Sequence, residues 1–146
     1  MSEKKRLVLD ANILLRAVFG VRVRMLLESY EDSVRFFTPD VCFEDAEKYL
    51  EVISTTRNLD VNAGRCVLSG QAGLVEILDR SLHEEHESTA RERMRSRDIA
   101  DWPIAATSLL LSCPIWTEDQ DFFGSGIATW TTANVELYLR DAATRF

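Results

Sequence analysis

Long hydrophobic runs are missing from this sequence of 146 residues. The longest apolar stretches, such as residues 104–111, are too short and too interrupted to span a bilayer, which needs about 20 apolar residues. Residues 1–6 lead into only three apolar residues before Asp10, so no secretory signal peptide can be read. We therefore expect a cytoplasmic protein with no membrane-spanning segment.

Cysteine is scarce as well, with three residues, Cys42, Cys66 and Cys113. An odd number without any C-x-x-C spacing argues against a disulfide framework and against a zinc site. Each cysteine lies among apolar neighbours in the sequence. All three are therefore predicted to be buried thiols.

Positive charge is in deficit, because 17 lysines and arginines face 24 acidic residues and the formal net charge is −7. This charge counts against a nucleic-acid partner, since phosphate binding usually needs a basic surface. Two features weaken that argument. A divalent cation held by carboxylates reverses the local field, and arginines are clustered within residues 91–97.

What the sequence does contain is a regular alternation of strand-like and helix-like segments. Strands are predicted over 6–9, 34–38, 74–78, 114–117 and 127–131. Helices are predicted over 13–19, 21–30, 39–54, part of 58–73, 82–97, 98–112 and 134–143. This order predicts a single α/β domain over 1–146 with a mainly parallel central sheet of about five strands.

Two of these helices carry more specific predictions. The Thr38-Pro39-Asp40 sequence predicts a helix start with Thr38 as the cap and Pro39 at the first helical position. Residues 82–97 are highly polar, which predicts a helix with one thin apolar stripe. That stripe consists of Leu82, His86, Ala90 and Met94.

Acidic residues follow several of the predicted strands. Asp10 comes directly after the first strand, and Asp119 comes two residues after the strand that ends at Thr117. Glu44 lies one to two turns into the helix after the second strand, and Asp101 lies in the first turn of another helix. Because sites in parallel α/β sheets form beyond the carboxyl ends of the strands, all four acids are expected to converge at one edge.

Such a set of carboxylates suits a hard divalent cation. Mg²⁺ and Mn²⁺ prefer oxygen ligands, and in phosphodiester hydrolysis they lower the pKa of a bound water, orient it and neutralise developing charge. Asp10, Asp101 and Asp119 are the natural direct ligands. Glu44 either ligates through its longer arm or helps to deprotonate the water. Whether one or two metal ions are held stays open.

Several polar residues compete with these candidates or surround them. Asp98 competes with Asp101, and Asp121 with Asp119, because one acid of each pair can cap a helix while the other binds the metal. Asn12 can orient a ligand or the water through its amide. The residues predicted to lie around the ligands are Asn12, Asp98, Thr117 and Asp121.

Phosphoryl-transfer α/β domains are the strongest rival fold. Response-regulator receivers and haloacid-dehalogenase phosphatases both use an Asp after an early strand and a lysine from a later strand. The only lysines here are Lys4, Lys5 and Lys48, so none lies in the second half of the chain. The Asp10-Ala11-Asn12 turn also lacks the second Asp that the phosphatases require. Both rivals are rejected.

Four blocks of the sequence together resemble the PIN-domain family. The blocks are R-L-V-L-D-A-N at 6–12, T-P-D-V-C-F-E at 38–44, R-D-I-A-D-W-P-I-A-A-T at 97–107 and T-E-D-Q-D-F at 117–122. The family's four acids fall on Asp10, Glu44, Asp101 and Asp119. Order and spacing match over nearly the whole chain and are weakest between residues 58 and 95.

This resemblance implies a three-layer α/β/α fold and a ribonuclease that depends on Mg²⁺ or Mn²⁺. Many short bacterial members are VapC-type toxins, which work as dimers and are silenced by a small antitoxin protein. The resemblance therefore implies the toxin of a toxin–antitoxin pair, an RNA substrate and a homodimer.

A non-catalytic PIN-fold module that docks RNA or protein is the alternative function. Such a module would predict loss of one or more acids, and none of the four is substituted.

The clustered arginines Arg91, Arg95 and Arg97 are candidates for guiding the RNA backbone, because they lie close in sequence to Asp101. The equally weighted alternative is a solvated helix face that pairs with neighbouring glutamates.

Overall fold

The computed structural model describes residues 4–143, and side chains over residues 4–140. The predicted single domain over 1–146 extends beyond these residues at both ends and stays a prediction. Within residues 4–143, no helix is both long enough and apolar enough to cross a membrane.

Five parallel strands form the central sheet. They are β1 (Lys5–Leu9), β2 (Val34–Pro39), β3 (Val75–Leu78), β4 (Ile115–Trp116) and β5 (Thr129–Trp130). Their order across the sheet is β3-β2-β1-β4-β5, and each neighbouring pair is parallel. In register, Leu7 lies opposite Phe36 and Leu9 lies opposite Trp116. The predicted parallel sheet is confirmed, and its strands all point their carboxyl ends to one edge.

Helices connect the strands and cover the sheet. They are α1 (Ala11–Phe19), α2 (Arg22–Tyr30), α3 (Asp40–Thr56), α4 (Val61–Gln71), α5 (Arg80–His83), α6 (Glu87–Arg93), α7 (Trp102–Leu111) and α8 (Val135–Ala143). Single 3-10 turns lie at Glu84–His86, Ile99–Asp101 and Gln120–Phe122.

Burial on both faces of β1 explains the three layers. Leu7 and Leu9 belong to one core cluster, together with residues of α1, α2, α3 and α8. Val8 points the other way and joins a second cluster built mainly from α6 and α7. Successive strand residues point to opposite faces, so a continuous apolar strand requires helices on both sides. The predicted α/β/α fold is confirmed.

The predicted cap at Thr38 is wrong. Thr38 stays within β2 and α3 begins at Asp40, with Pro39 before it. The Thr38 hydroxyl donates to the carbonyl oxygen of Leu9 at 2.8 Å, inside the sheet. Cross-strand bonding of this buried hydroxyl replaces the capping bond that the local sequence favours.

The predicted helix over 82–97 is also wrong as a continuous element, because a 3-10 turn separates α5 from α6. Ala90 and Met94 are buried, as predicted. Leu82, however, is 53% exposed, and the neighbouring residue His83 is buried. Spacing counted for a continuous α-helix does not hold across the tighter 3-10 turn.

The cysteine prediction holds only in part. Cys42 is buried, Cys113 is half-buried and Cys66 is exposed. Cys66 lies on the outer side of α4, where apolar neighbours in sequence are not neighbours in the core.

We predict that Thr38→Val lowers the free energy of unfolding by about 1–3 kcal/mol, because the buried Leu9 carbonyl loses its donor. Thr56→Val is the matched control: its hydroxyl also donates to a carbonyl at 2.8 Å, that of Val52, but on an exposed surface. The control should change stability by less than about 0.5 kcal/mol. Urea unfolding measures both, and equal effects would contradict the role given to Thr38.

Candidate active site

A cavity of about 360 Å³ opens at the carboxyl edge of the sheet, and we call it the acidic cavity. It is lined by Asp10, Ala11, Asn12, Leu15, Asp45, Tyr49, Ile53, Asp101, Ile104 and Asp119. Four of these residues are aspartates, and none is a lysine or an arginine. The predicted edge of the sheet therefore does collect carboxylates.

Asp10 leaves the end of β1 and is 6% exposed. One carboxylate oxygen, Oδ1, accepts the N–H of Ile13 at 3.0 Å and so caps α1. The other oxygen, Oδ2, accepts the hydroxyl of Thr117. Burial raises the pKa of Asp10 to about 6, although these hydrogen bonds lower it, and nearby Asp119 adds a smaller upward contribution. Asp10 is thus both a helix cap and a buried acid at the cavity.

Thr117 follows β4 and connects two acids. Its hydroxyl donates to Asp10 and accepts the backbone N–H of Asp119 at 2.9 Å. The Asp10 N–H also donates to the Trp116 carbonyl at 3.4 Å, which joins the ends of β1 and β4. Thr117 therefore fixes the position of Asp10 relative to Asp119.

Asp119 caps the 3-10 turn at Gln120–Phe122, where its Oδ1 accepts the N–H of Asp121 at 2.9 Å. It is half-buried and lines the acidic cavity. Asp121 is exposed and does not line that cavity. The pKa of Asp121 is raised, chiefly by the charge of Asp119.

Asp101 ends the 3-10 turn that precedes α7. Its Oδ2 atom is buried and has no hydrogen-bond partner. Burial, and to a smaller extent the carboxylates of Asp98, Asp119 and Asp10, raise the pKa of Asp101 to about 7. The predicted helix over 98–112 thus begins as a 3-10 turn, which Asp98 caps by accepting the Ala100 N–H at 3.1 Å.

Asp98 and Asp121 form an outer group with Asp101. One carboxylate oxygen from each lies within 4.8 Å of the others. Asp98 and Asp121 are both exposed, whereas Asp101 is half-buried. The structure therefore separates inner acids that line the cavity from outer acids at its rim.

Of the four acids predicted to be catalytic, Glu44 is the one that does not line the acidic cavity. It is exposed on α3, and its neighbour Asp45 lines the cavity. The buried stripe of α3 includes Cys42, Ala46 and Leu50. Each helical residue advances about 100° around the axis, so Asp45 borders this stripe while Glu44 points away from it. The helical period of α3 is therefore the sequence signal that places Asp45, and not Glu44, beside the cavity.

Asn12 lies in the first turn of α1, is exposed and lines the cavity beside Asp10. The three predicted RNA-guiding arginines do not line it. Arg91 pairs with Glu87 at 2.7 Å, and Arg95 with Glu92 at 3.5 Å. Arg97 donates to the Phe123 carbonyl at 2.7 Å, so its role is to hold the loop after β4.

The charges that raise the pKa of Asp101 come from other carboxylates. A half-buried acid with one buried, unsatisfied oxygen and several carboxylates nearby is costly to ionise unless a cation joins the group. Oxygen ligands of this kind suit Mg²⁺ or Mn²⁺. The structure thus offers carboxylates to a divalent cation in two overlapping groups: Asp98, Asp101 and Asp121, whose oxygens lie within 4.8 Å of one another, and the aspartates that line the acidic cavity.

A family model described as a PIN domain matches residues 8–140. This match confirms the resemblance seen in the four sequence blocks. A search of curated proteins finds no match.

Solved structures with the same fold include three with low sequence identity. VapBC2 from Rickettsia felis, in a crystal structure bound to a DNA fragment from their promoter, is 12% identical with a TM-score of 0.67, over 86% of this chain and 98% of that one. PAE2754 from Pyrobaculum aerophilum is 17% identical with a TM-score of 0.67, over 97% and 91%. A toxin-antitoxin complex from Klebsiella pneumoniae is 17% identical with a TM-score of 0.60, over 86% and 96%.

We predict that Asp101→Asn stabilises the metal-free protein at alkaline pH. The pKa of Asp101 is about 7 in the folded state against 3.8 ordinarily. Wild-type stability is therefore lost as the pH rises from about 4 to 7, because the folded state keeps a proton that the unfolded state has released. The variant should gain about 1–2 kcal/mol over wild type between pH ~5 and ~8, after allowance for solvent screening.

Urea unfolding in EDTA at the two pH values measures this difference. If the free energies of unfolding of variant and wild type differ by the same amount at both pH values, ionisation of Asp101 does not destabilise the fold.

Proposed function

Because the chain belongs to the PIN-domain family, we propose that it is a divalent-metal-dependent ribonuclease that hydrolyses RNA phosphodiester bonds. The unsatisfied buried oxygen of Asp101, surrounded by other carboxylates, is the observation that carries the proposal. RNA as the substrate comes from the resemblance of the four sequence blocks to the family.

Asp10, Asp101 and Asp119 are proposed to hold Mg²⁺ or Mn²⁺. When bound, such a cation lowers the pKa of a water and neutralises charge on the phosphate. Asp45 takes the fourth position that the sequence had given to Glu44, because Asp45 lines the acidic cavity.

The chain's own residues orient these groups. The Ile13 N–H and the Thr117 hydroxyl each bind one oxygen of Asp10 and thereby fix the plane of its carboxylate. Thr117 also holds the backbone of Asp119. Asn12 and Asp45 are proposed to hydrogen-bond the attacking water and to keep it beside the scissile phosphate. Asp98 and Asp121 remain at the rim, where they add negative charge without lining the cavity.

A toxin role with an antitoxin protein as partner is part of the proposal. The Klebsiella pneumoniae structure that shares the fold is a toxin-antitoxin complex, and the resemblance of the four sequence blocks to VapC-type toxins points the same way. A homodimer is proposed on the family resemblance alone. Co-expression with the product of the adjacent reading frame, followed by a test for suppressed cleavage, examines the partner, and light scattering examines the dimer.

We predict that Asp10→Asn and Asp119→Asn each lower RNA cleavage by at least about a hundredfold while the fold stays intact, because a metal ligand is lost. Cleavage of a labelled single-stranded RNA in Mn²⁺, with and without EDTA, measures activity. Circular dichroism checks the fold.

The same proteins test metal binding directly. Millimolar Mn²⁺ should raise the melting temperature of wild type by mass action on the folded state, and the Asn variants should lose most of this shift. An unchanged wild-type melting temperature, together with no cleavage, would overturn the proposal in favour of a non-catalytic PIN-fold module that docks RNA or protein.

We predict that Asp45→Asn lowers cleavage by about tenfold or more, whereas Glu44→Gln changes it by less than about twofold. The two acids are adjacent on α3 and each substitution removes one negative charge, so the pair is matched in charge and place and differs in side-chain length, exposure and direction. Rates under identical Mn²⁺ decide between them. A larger loss for Glu44→Gln would restore Glu44 as the fourth acid.

A further inference from the structure

A second cavity of about 360 Å³ adjoins the acidic cavity, and three residues, Asn12, Leu15 and Ile53, line both. We call this second cavity the arginine groove, because Arg16, Arg22 and Arg57 are among its lining residues. The two cavities thus adjoin, and we call the pair the trough; its acidic end and its arginine end differ in charge.

Helices α1 and α3 form the walls of this trough. Both follow a strand of the parallel sheet, so both start at its carboxyl edge and run away from it. Along α3 and its C-cap Arg57, residues four apart line the trough in the order Asp45, Tyr49, Ile53 and Arg57. From Asp45 to Arg57 the chain rises about 18 Å. Asp10 caps the start of α1, and Arg16 lies later in that helix. Aspartates therefore line one end of the trough and arginines the other.

Two of the arginines are available to a ligand. Over the described part of the chain, Arg16 and Arg57 form no ion pair with a carboxylate. The Arg57 guanidinium lies over the ring of Phe19, 5.9 Å from its centroid, which connects α3 to α1 at this end. Arg22 is different, because it pairs with Glu136 at 2.9 Å. The arginine groove is therefore locally positive, although the chain as a whole has a net charge of −7.

We propose that the arginine groove binds the sugar–phosphate backbone of the RNA strand whose scissile phosphate enters the acidic cavity. Arg16 and Arg57 are its phosphate-binding residues, since a guanidinium donates two parallel hydrogen bonds to a phosphate. This inference rests on the proposed ribonuclease function. It replaces Arg91, Arg95 and Arg97, whose side chains are engaged elsewhere.

An acidic protein segment is the other ligand that arginines could bind. The continuity of the trough favours RNA, because a strand of phosphates has to enter the acidic cavity to be cut and its flanking phosphates then reach the groove. A segment rich in carboxylates that followed the same path would meet Asp10, Asp45 and Asp101.

The test compares two charge-matched double variants, Arg16→Gln with Arg57→Gln, and Arg91→Gln with Arg95→Gln. Binding of a fluorescein-labelled single-stranded RNA is measured by anisotropy in EDTA, between about 50 and 200 mM NaCl. The first double variant should raise the Kd roughly tenfold and reduce the salt slope by about 1.4, at about 0.7 for each lost phosphate contact. The second should stay within about twofold of wild type.

Cleavage kinetics in Mn²⁺ provide the second readout. The first double variant should raise KM by roughly the same factor as Kd and leave kcat within about twofold, since binding away from the reacting atoms is lost. The corresponding double lysine variant, Arg16→Lys with Arg57→Lys, should recover most of the binding because the charge is kept. All variants are checked by thermal melting.

Three outcomes would overturn the inference: an unchanged salt slope in the first double variant, an equal loss in the second, or Arg16- and Arg57-dependent binding of poly-L-glutamate without an effect on RNA. The proposed function fails separately. If wild type does not cleave RNA in Mn²⁺ but the first double variant still loses RNA binding, the groove assignment stands and catalysis is rejected.

Discussion

The burial of carboxylates beside one another at the carboxyl edge of the sheet is the constraint on which the rest of the structure depends. Asp10 is held there because Leu7, Val8 and Leu9 before it are completely buried, and the Thr117 hydroxyl ties its carboxylate to the end of β4. Burial and these acidic neighbours raise the pKa of Asp10 and Asp101 to about 6 and 7. The apolar layers thus supply the free energy that keeps the acids together, and a bound cation would relieve the repulsion.

The same helices that bring acids to the site also set the charge around it. Both α1 and α3 start at the carboxyl edge, so Asn12 and Asp45 lie nearer that edge, while Arg16 lies later in α1 and Arg57 caps the far end of α3. An overall negative charge is therefore compatible with a nucleic-acid substrate, because the phosphates of the substrate meet the local charge of the trough. The net charge describes the whole surface and not the path of a ligand.

Much of the site follows from local sequence patterns. Asp10, Asp101 and Asp119 line the cavity. Their place could be predicted because apolar runs and turn residues mark the strand ends and helix starts that carry them. The role of Glu44 stays a prediction: the structure shows that Asp45, and not Glu44, lines the cavity, in keeping with the helical phase of α3. The role of Arg91 and Arg95 in binding RNA also stays a prediction. In the structure both form exposed ion pairs with glutamates of their own segment.

The sequence by itself determined the alternation of strands and helices, the parallel sheet and the order of the acids along it. These depend on periods of apolar residues that local geometry imposes. Only the tertiary structure decided that Thr38 bonds across the sheet, that His83 and not Leu82 is buried, and that Arg16 and Arg57 share a groove. These features depend on contacts between residues that are distant in sequence, or on a break in helical phase. A local sequence pattern predicts neither.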